Sequence, residues 1–196
     1  MLQVKPVTLP VKAGPLTNGK LTPCQLTSLF CQGWGPLQVH PEAKRAYEAM
    51  FIICKNETGA QLSASSPGDA YRSLTAQENV FRQRYTETYV PVRNVLTDGR
   101  TWNGKRWYKR AGVAPVAVPG TSNHGYGLAL DTAIWSGGKI IGITADPKVW
   151  AWVQANALSF GLSWESQSEP WHLRLTVGDN TAQRVLDIEA FFANLG

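Results

Sequence analysis

The sequence contains few of the residues that most often bind metals or form disulfides. Its 196 residues include only three histidines, three cysteines and two methionines. The cysteines are Cys24, Cys31 and Cys54, an odd number without Cys-x-x-Cys spacing, which argues against a zinc ribbon and against a redox motif. We therefore expect reduced thiols, with a Cys24–Cys31 disulfide as the alternative.

Long apolar runs are also missing. No stretch approaches the roughly 18 apolar residues of a membrane-spanning helix. The first six residues, Met-Leu-Gln-Val-Lys-Pro, do not form the apolar segment of a secretory signal peptide. The sequence therefore predicts no membrane span, and it predicts synthesis in the cytoplasm without a signal peptide.

Charged residues make up only 17% of the chain, and basic residues exceed acidic ones to give a net charge of +5. A basic balance favours anionic partners such as nucleic acid or cell-wall polymers. The lysines and arginines between residues 93 and 110 are scattered through a predicted loop and accompany no nucleic-acid-binding motif. We therefore expect a solvated surface and no nucleic-acid binding.

The length and the hydrophobic pattern predict one domain with both helices and strands. Residues 1–20 are rich in Pro, Gly, Thr and Lys and are predicted to form an N-terminal arm, and residues 21–196 the single domain. Hydrophobic spacing and helix-start signals predict helices over 24–31, 41–57, about 73–89, 147–159 and 180–194. Strands are predicted over 61–65, 128–134, 140–143, 162–164 and 171–177.

Residues 90–120 contain several Pro and Gly turn signals and are predicted to form a long loop. Loops of this length within a domain are often functional. Three aromatic residues within it, Trp102, Trp107 and Tyr108, either line a cleft or form a satellite core beneath the loop.

Two of the three histidines lie in two short polar stretches. The first runs from Ser122 to Asp131 and contains His124, and the second is Glu-Pro-Trp-His, residues 169–172. Zinc binds histidine nitrogens and carboxylate oxygens, and catalytic sites keep three protein ligands and one open position. His124, Asp131 and His172 therefore form a candidate zinc site, with Glu169 as a base beside it.

The chain must fold back on itself to bring these ligands together. His124 and Asp131 are seven residues apart, which is about 23 Å in a fully extended chain. Gly125 and Gly127 permit the necessary turn because glycine tolerates positive φ and close backbone approach. Because Glu169 and His172 differ by an odd offset and Pro170 interrupts pairing, we place Glu169 in the loop before the second strand.

Three motifs resemble those of a known family. Ser-x-His-x-x-Gly-x-Ala-x-Asp at 122–131, Glu-x-Trp-His at 169–172 and Tyr-Arg-Ser-x-x-x-Gln at 71–77 occur in the family's order. They are similar to the VanY-like zinc D-alanyl-D-alanine carboxypeptidases and related peptidoglycan peptidases, in the superfamily shared with lysostaphin and hedgehog. The resemblance extends over about residues 60–176.

The resemblance implies an α+β fold in which a small antiparallel sheet carries one zinc ion per chain and is flanked by helices. It also implies roles for individual residues. Glu169 would be the general base, Arg72 would stabilise the developing oxyanion or orient the substrate carbonyl, and Ser122 and Gln77 would contact the substrate.

The expected function is zinc-dependent hydrolysis of peptide bonds in the stem peptides of bacterial peptidoglycan. The absence of a signal peptide favours an endolysin-like endopeptidase of a bacteriophage that acts as a monomer at the cell wall after release. One alternative is a bacterial D-alanyl-D-alanine carboxypeptidase, and another is a hedgehog-like zinc-binding module without catalysis. The presence of both Glu169 and Arg72 argues against the last.

Overall fold

An antiparallel sheet of five strands carries most of the candidate site. The computed structural model describes residues 1–89 and 98–195. In that part of the chain the strands are β1 (Thr27–Cys31), β2 (Gly35–Val39), β3 (Gln61–Ala64), β4 (Tyr85–Thr86), β5 (Gly99–Trp102), β6 (Lys105–Lys109), β7 (Ala129–Ser136), β8 (Lys139–Gly142), β9 (Leu162–Trp164) and β10 (His172–Leu175). The helices are α1 (Pro41–Thr58), α2 (Leu74–Arg84), α3 (Pro147–Asn156) and α4 (Gln183–Ala193).

The central sheet has the order β3-β7-β10-β9, and β8 pairs with the second half of β7. All of these pairs are antiparallel. Two smaller antiparallel sheets, the β1–β2 hairpin and the sheet β4-β6-β5, complete the fold. The α+β class and the antiparallel sheet flanked by helices are therefore confirmed.

Helix α1 packs across the sheet and buries one face in the main core. It begins after His40, whose Nδ1 accepts a hydrogen bond from the backbone N–H of Glu42. The hydroxyl of buried Tyr47 donates to the backbone oxygens of Leu128 and Leu173. Those contacts tie the helix to the two stretches of chain that carry the candidate ligands.

A second, smaller core lies beneath the small sheet β4-β6-β5. Its buried members are Phe81, Tyr85, Trp102 and Trp107, and we call it the aromatic cluster. The predicted long loop is therefore wrong over residues 99–109, which form a β-hairpin, and the two tryptophans belong to a satellite core. Residues 90–97 of that predicted loop lie outside the described part of the chain.

Two predicted helices differ from the structure. The predicted helix over 24–31 is a short 3-10 helix at Pro23–Gln25 followed by β1. Leu29 and Cys31 are buried while Ser28 and Phe30 are exposed, which is the two-residue period of a strand. Helix α2 begins after the N-cap Ser73 and ends at Arg84, five residues before its predicted end, because the chain then enters β4.

Residues 1–20, the N-terminal segment, pack against the rest of the chain and form neither a helix nor a full strand. Isolated bridges join Val4 to Trp164 and Thr8 to Val177. Further along, the side chain of Asn18 donates to the backbone oxygen of Ser122 at 2.7 Å. This segment therefore contacts elements that hold the candidate site.

Within residues 1–89 and 98–195, no helix is both long enough and apolar enough to cross a lipid bilayer.

Candidate metal centre

The three predicted ligands lie in a cleft of about 560 Å³ at the end of the central sheet. The cleft is formed where the segment before α2, the 3-10 helix Asn123–Tyr126, strands β7 and β10, and the segment 165–171 meet. Besides the ligands, its lining includes these charged and polar residues: Asp69, Arg72, Ser122, Asn123, Glu165, Ser166, Ser168 and Glu169, together with Arg84 at the end of α2 and Arg100 on β5.

His124 lies on the short 3-10 helix that precedes β7, and its side chain is only 5% exposed. Its Nδ1 is 2.9 Å from the backbone oxygen of Ala70, so this nitrogen donates its proton there. The other nitrogen, Nε2, then faces Oδ1 of Asp131, 3.5 Å away. Gly125 and Gly127 make this turn possible: a Cβ at Gly125 would collide with a neighbouring side chain, and Gly127 has a φ of 64°.

Asp131 and His172 lie directly opposite each other on β7 and β10. Side chains at such cross-strand positions are close neighbours on one face of a sheet. The Nδ1 of His172 is 2.8 Å from Oδ1 of Asp131, and the Nε2 of His124 is 3.5 Å from the same oxygen. Pairing of the two strands therefore creates the contact between these ligands.

Each of the three side chains offers one atom that could bind a metal ion, and these atoms lie within 4.8 Å of one another. His124 and His172 are buried and Asp131 is half-buried. A cluster of two imidazoles and one carboxylate that is largely removed from water suits a divalent metal ion, because neighbouring charges compensate for desolvation.

Mutual contacts shift the ionisation of these groups strongly. Burial disfavours the charged form of Asp131, but hydrogen bonds and charge interactions with both histidines outweigh it and hold the pKa of Asp131 well below its usual range. Burial also lowers the pKa of His172, yet its contacts with Asp131 and Glu165 outweigh burial and raise that pKa to about 9. The carboxylates of Asp131 and Glu165 therefore favour positive charge at this site.

Glu169 and Arg72 line the same cleft, although they are far apart in the sequence. Glu169 is half-buried in the irregular segment before β10, where its backbone oxygen accepts a hydrogen bond from the N–H of His172 at 3.1 Å. The guanidinium of Arg72 donates to the backbone oxygen of Gly68 at 3.0 Å and lies 3.5 Å from the carboxylate of Asp69. Both side chains therefore border the space beside the candidate metal.

The two predicted substrate contacts have different positions. Ser122 lines the cleft immediately before the 3-10 helix that carries His124. Gln77 is buried beneath the site, where its amide nitrogen donates to Asn18 Oδ1 and to the backbone oxygen of Arg72, and its amide oxygen accepts from the N–H of Gly120. This position does not support direct contact between Gln77 and a substrate. Its hydrogen bonds instead connect three chain segments behind the cleft.

The structure adds a residue that the sequence did not single out. Glu165 lies just after β9, and its Oε2 is 3.1 Å from the Nε2 of His172 and 3.1 Å from the amide nitrogen of Asn123. The hydrogen bond from His172 lowers the pKa of Glu165 to about 2, so this carboxylate is ionised. The sequence around Glu165 matches no short motif. Glu165 reaches the site because β9, which precedes it, pairs with β10.

Comparison with known proteins agrees with this arrangement of motifs. The family described as VanY, D-alanyl-D-alanine carboxypeptidase, matches residues 36–179. This chain belongs to the VanY family. The matched range contains all three candidate ligands as well as Glu169 and Arg72.

Among curated relatives of this VanY-family chain is the putative carboxypeptidase YodJ of Bacillus subtilis (strain 168). The two are 33% identical in an alignment of 163 positions that covers 76% of this chain and 50% of YodJ. The chain thus spans about half the length of that relative.

Solved structures with the same fold include the LdcB LD-carboxypeptidase, with a TM-score of 0.57, 25% identity, and coverage of 96% of this chain and 90% of LdcB. A mutant of the VanY D,D-pentapeptidase of the VanB-type vancomycin resistance cassette, in complex with Zn(II), has a TM-score of 0.52 and 19% identity, with 92% of each chain covered. VanYB in complex with D-alanine-D-alanine has a TM-score of 0.50 and 19% identity, with 95% of this chain and 96% of VanYB covered. At 19% identity the last two show the fold alone.

Proposed function

We propose that this VanY-family chain is a zinc-dependent peptidase that hydrolyses stem peptides of bacterial peptidoglycan, acting as a carboxypeptidase. The observation that carries the proposal is the convergence of His124, Asp131 and His172 in a cleft that Glu169 and Arg72 also line. The family's description and the relatives described as carboxypeptidases support the choice of reaction. One chain supplies the whole site, and we propose that it acts as a monomer.

The spacing of the donor atoms suits zinc. Ligands about 2.0–2.2 Å from a tetrahedral zinc ion lie roughly 3.3 Å from one another. The observed separations from Asp131 Oδ1 are 2.8 Å to His172 and 3.5 Å to His124, so small side-chain movements would admit the ion. When bound, zinc would supply a Lewis acid that polarises the scissile carbonyl and makes a water molecule acidic.

Two side chains of this protein would then carry out the remaining steps. Glu169 would take the proton of the attacking water with its carboxylate and pass it to the nitrogen of the leaving group. Arg72 would place its permanently charged guanidinium beside the substrate carbonyl, where negative charge develops as the water adds. The contacts of Arg72 with Gly68 and Asp69 keep that side chain directed along the edge of the cleft.

One wall of the cleft carries arginine side chains that could bind a carboxylate. Arg84 and Arg100 line it together with Arg72, while the segment from residue 114 to 117 forms the wall between them. Arg84 donates to the backbone oxygen of Ala114 at 3.4 Å, and Arg100 lies 3.4 Å from Asp98. Stem peptides carry free carboxylates, and arginine binds carboxylates through paired hydrogen bonds. This cationic wall supports binding of a peptide with a free carboxyl end.

Digestion of purified peptidoglycan followed by mass spectrometry tests the proposal. We expect stem peptides shortened from the C-terminal end and the matching free amino acid, with no such release by the Glu169→Ala variant. Release of longer fragments, or opening of cross-links, would instead identify the endopeptidase predicted from the sequence. Zinc bound without any turnover would identify a non-catalytic binding module and contradict the proposal.

A further inference from the structure

The carboxylate of Glu165 contacts Nε2 of His172, the ring nitrogen that is not directed at Asp131. The Nδ1 of His172 lies 2.8 Å from Asp131, whereas its Nε2 lies 3.1 Å from Oε2 of Glu165. A carboxylate oxygen accepts hydrogen bonds and an imidazole N–H donates them, so the Nε2 of His172 is the donor of this hydrogen bond. The proton on Nε2 leaves Nδ1 as the nitrogen that can bind a metal.

Two neighbours hold Glu165 in this position. The side-chain amide of Asn123 donates to the same Oε2 at 3.1 Å. The guanidinium of Arg174, whose side chain is only 8% exposed, lies 3.9 Å from that oxygen and is itself fixed by the backbone oxygens of Lys5 and Trp164. A carboxylate on an irregular segment is thus anchored from two sides, although its own side chain is 47% exposed.

These contacts parallel those of the other histidine. The Nδ1 of His124 donates to the backbone oxygen of Ala70, which leaves its Nε2 for the metal. Each imidazole therefore has one nitrogen fixed by an acceptor outside the centre and the other directed inward. Outer hydrogen bonds of this kind orient metal-binding histidines and raise their basicity.

We propose that Glu165 is a positioning residue for the metal centre, which acts by accepting the Nε2 proton of His172 and so fixing its ring with Nδ1 toward the ion. This inference rests on the proposed zinc function. It assigns to Glu165 a task distinct from that of Glu169: the former holds a ligand in place, and the latter faces the water and the substrate.

Zinc affinity, measured by competition with a chromophoric chelator at fixed pH, tests the assignment without any assay of activity. Loss of a hydrogen-bond partner outside a metal site typically lowers metal affinity by about 10–100-fold. We expect that loss in Glu165→Ala. Glu165→Gln should keep much of the affinity, because its amide oxygen still accepts from Nε2.

Two controls separate this effect from loss of charge. Glu87→Ala removes another carboxylate whose side chain is similarly exposed, at 45%, and which pairs with Lys105 at 2.7 Å. This variant should leave zinc affinity unchanged. Glu169→Ala should also retain it. Wild-type affinity in Glu165→Ala, or equal losses in the Ala and Gln variants, would overturn the positioning role while leaving the zinc function intact. A wild-type protein that binds no zinc would overturn both.

Discussion

The side chains around the metal centre perform separable tasks, and variants should separate them. Glu169→Ala removes the proposed base but none of the three ligands, so we expect zinc and fold to be retained. Turnover should fall by roughly 10²–10⁴-fold, the contribution of general acid–base catalysis.

His172→Ala should lose most of its zinc together with its activity. Arg72→Ala should retain zinc and lose kcat, because its interaction strengthens as charge develops on the carbonyl oxygen.

Zinc content and steady-state kinetics, measured side by side on these three variants, check those expectations. A Glu169→Ala protein that is folded but free of zinc would make Glu169 a ligand and contradict its role as base. A variant with full zinc and full turnover would move the base to another residue.

The cysteines should differ sharply in reactivity. Cys24 is exposed, whereas Cys31 and Cys54 are buried. Burial raises the pKa of Cys31 to about 11 and also raises that of Cys54, so little thiolate is available at neutral pH. A colorimetric thiol reagent should therefore label one group rapidly in the native protein and three after unfolding. A single reactive thiol after unfolding would instead reveal the Cys24–Cys31 disulfide.

Among single residues, the motifs predicted three candidate ligands that the structure brings together, because few side-chain types can bind a metal ion. His124, Asp131 and His172 are distant in the sequence but have few alternatives in a chain with three histidines. Glu165 could not be found in this way, since an isolated glutamate after a strand resembles any surface carboxylate. The buried position of Gln77 was equally hidden, because its partners come from three separate segments.

At the scale of elements, the aromatic cluster supports one wall of the cleft. Phe81 is fully buried and stacks on Tyr85 with ring centroids 4.6 Å apart, and both tryptophans of the cluster pack on it edge-on. Val116 packs against the cluster, lines the cleft and accepts a hydrogen bond from Arg100. Disruption of the cluster should therefore displace the segment 114–117 and Arg100 at the cleft wall, while the candidate metal ligands keep their positions.

Phe81→Ala tests this connection. Truncation of a buried phenylalanine costs about 3–5 kcal/mol of folding free energy. We expect lower stability and lower kcat/KM at a temperature where the variant stays folded, with zinc affinity close to wild type. Phe191→Ala is the matched control, since Phe191 is 61% exposed on α4 and its loss should change neither quantity. Loss of zinc in the folded Phe81→Ala protein would show that the cluster also supports the metal centre.

The elements that the sequence predicted well have strong local signals. Helix α1 combines helical spacing of apolar residues with Pro41 at its first turn, and α3 follows an Asp146 N-cap that accepts two backbone hydrogen bonds. Strand β1 was predicted as a helix because five residues are too short to distinguish the two periods reliably. The hairpin at 99–109 was missed because its tryptophans lie among turn residues typical of loops.

At the scale of the whole molecule, the N-terminal segment connects to the site through Arg174. The backbone oxygen of Lys5 is one of two acceptors for the Arg174 guanidinium, and the backbone N–H of Thr8 donates to Thr176. Removal of residues 1–11 would remove the Lys5 acceptor and the hydrogen bond from Thr8 to Thr176. Such a bond contributes about 0.5–1.5 kcal/mol between neutral groups and about 1.5–3 kcal/mol to a charged group. We expect a lower free energy of unfolding in urea.

A substitution controls for the loss of the Lys5 side chain and its charge. Lys5→Ala keeps the backbone oxygen and removes only an exposed side chain, so its stability should match that of the wild type. Equal stability of the truncated and full-length proteins would mean that residues 1–11 are a detachable arm. The division into an arm at 1–20 and a domain at 21–196, and an origin in a bacteriophage, stay predictions from the sequence.

A titration of activity against zinc tests the proposed zinc-dependent catalysis most directly. The metal-free protein, prepared with a chelator and verified by elemental analysis, should have no activity on peptidoglycan. Activity should return in proportion to added zinc and reach its maximum at about one equivalent per chain, because the described residues bring together one cluster of two histidines and an aspartate. Full activity in the verified metal-free protein would contradict zinc-dependent catalysis.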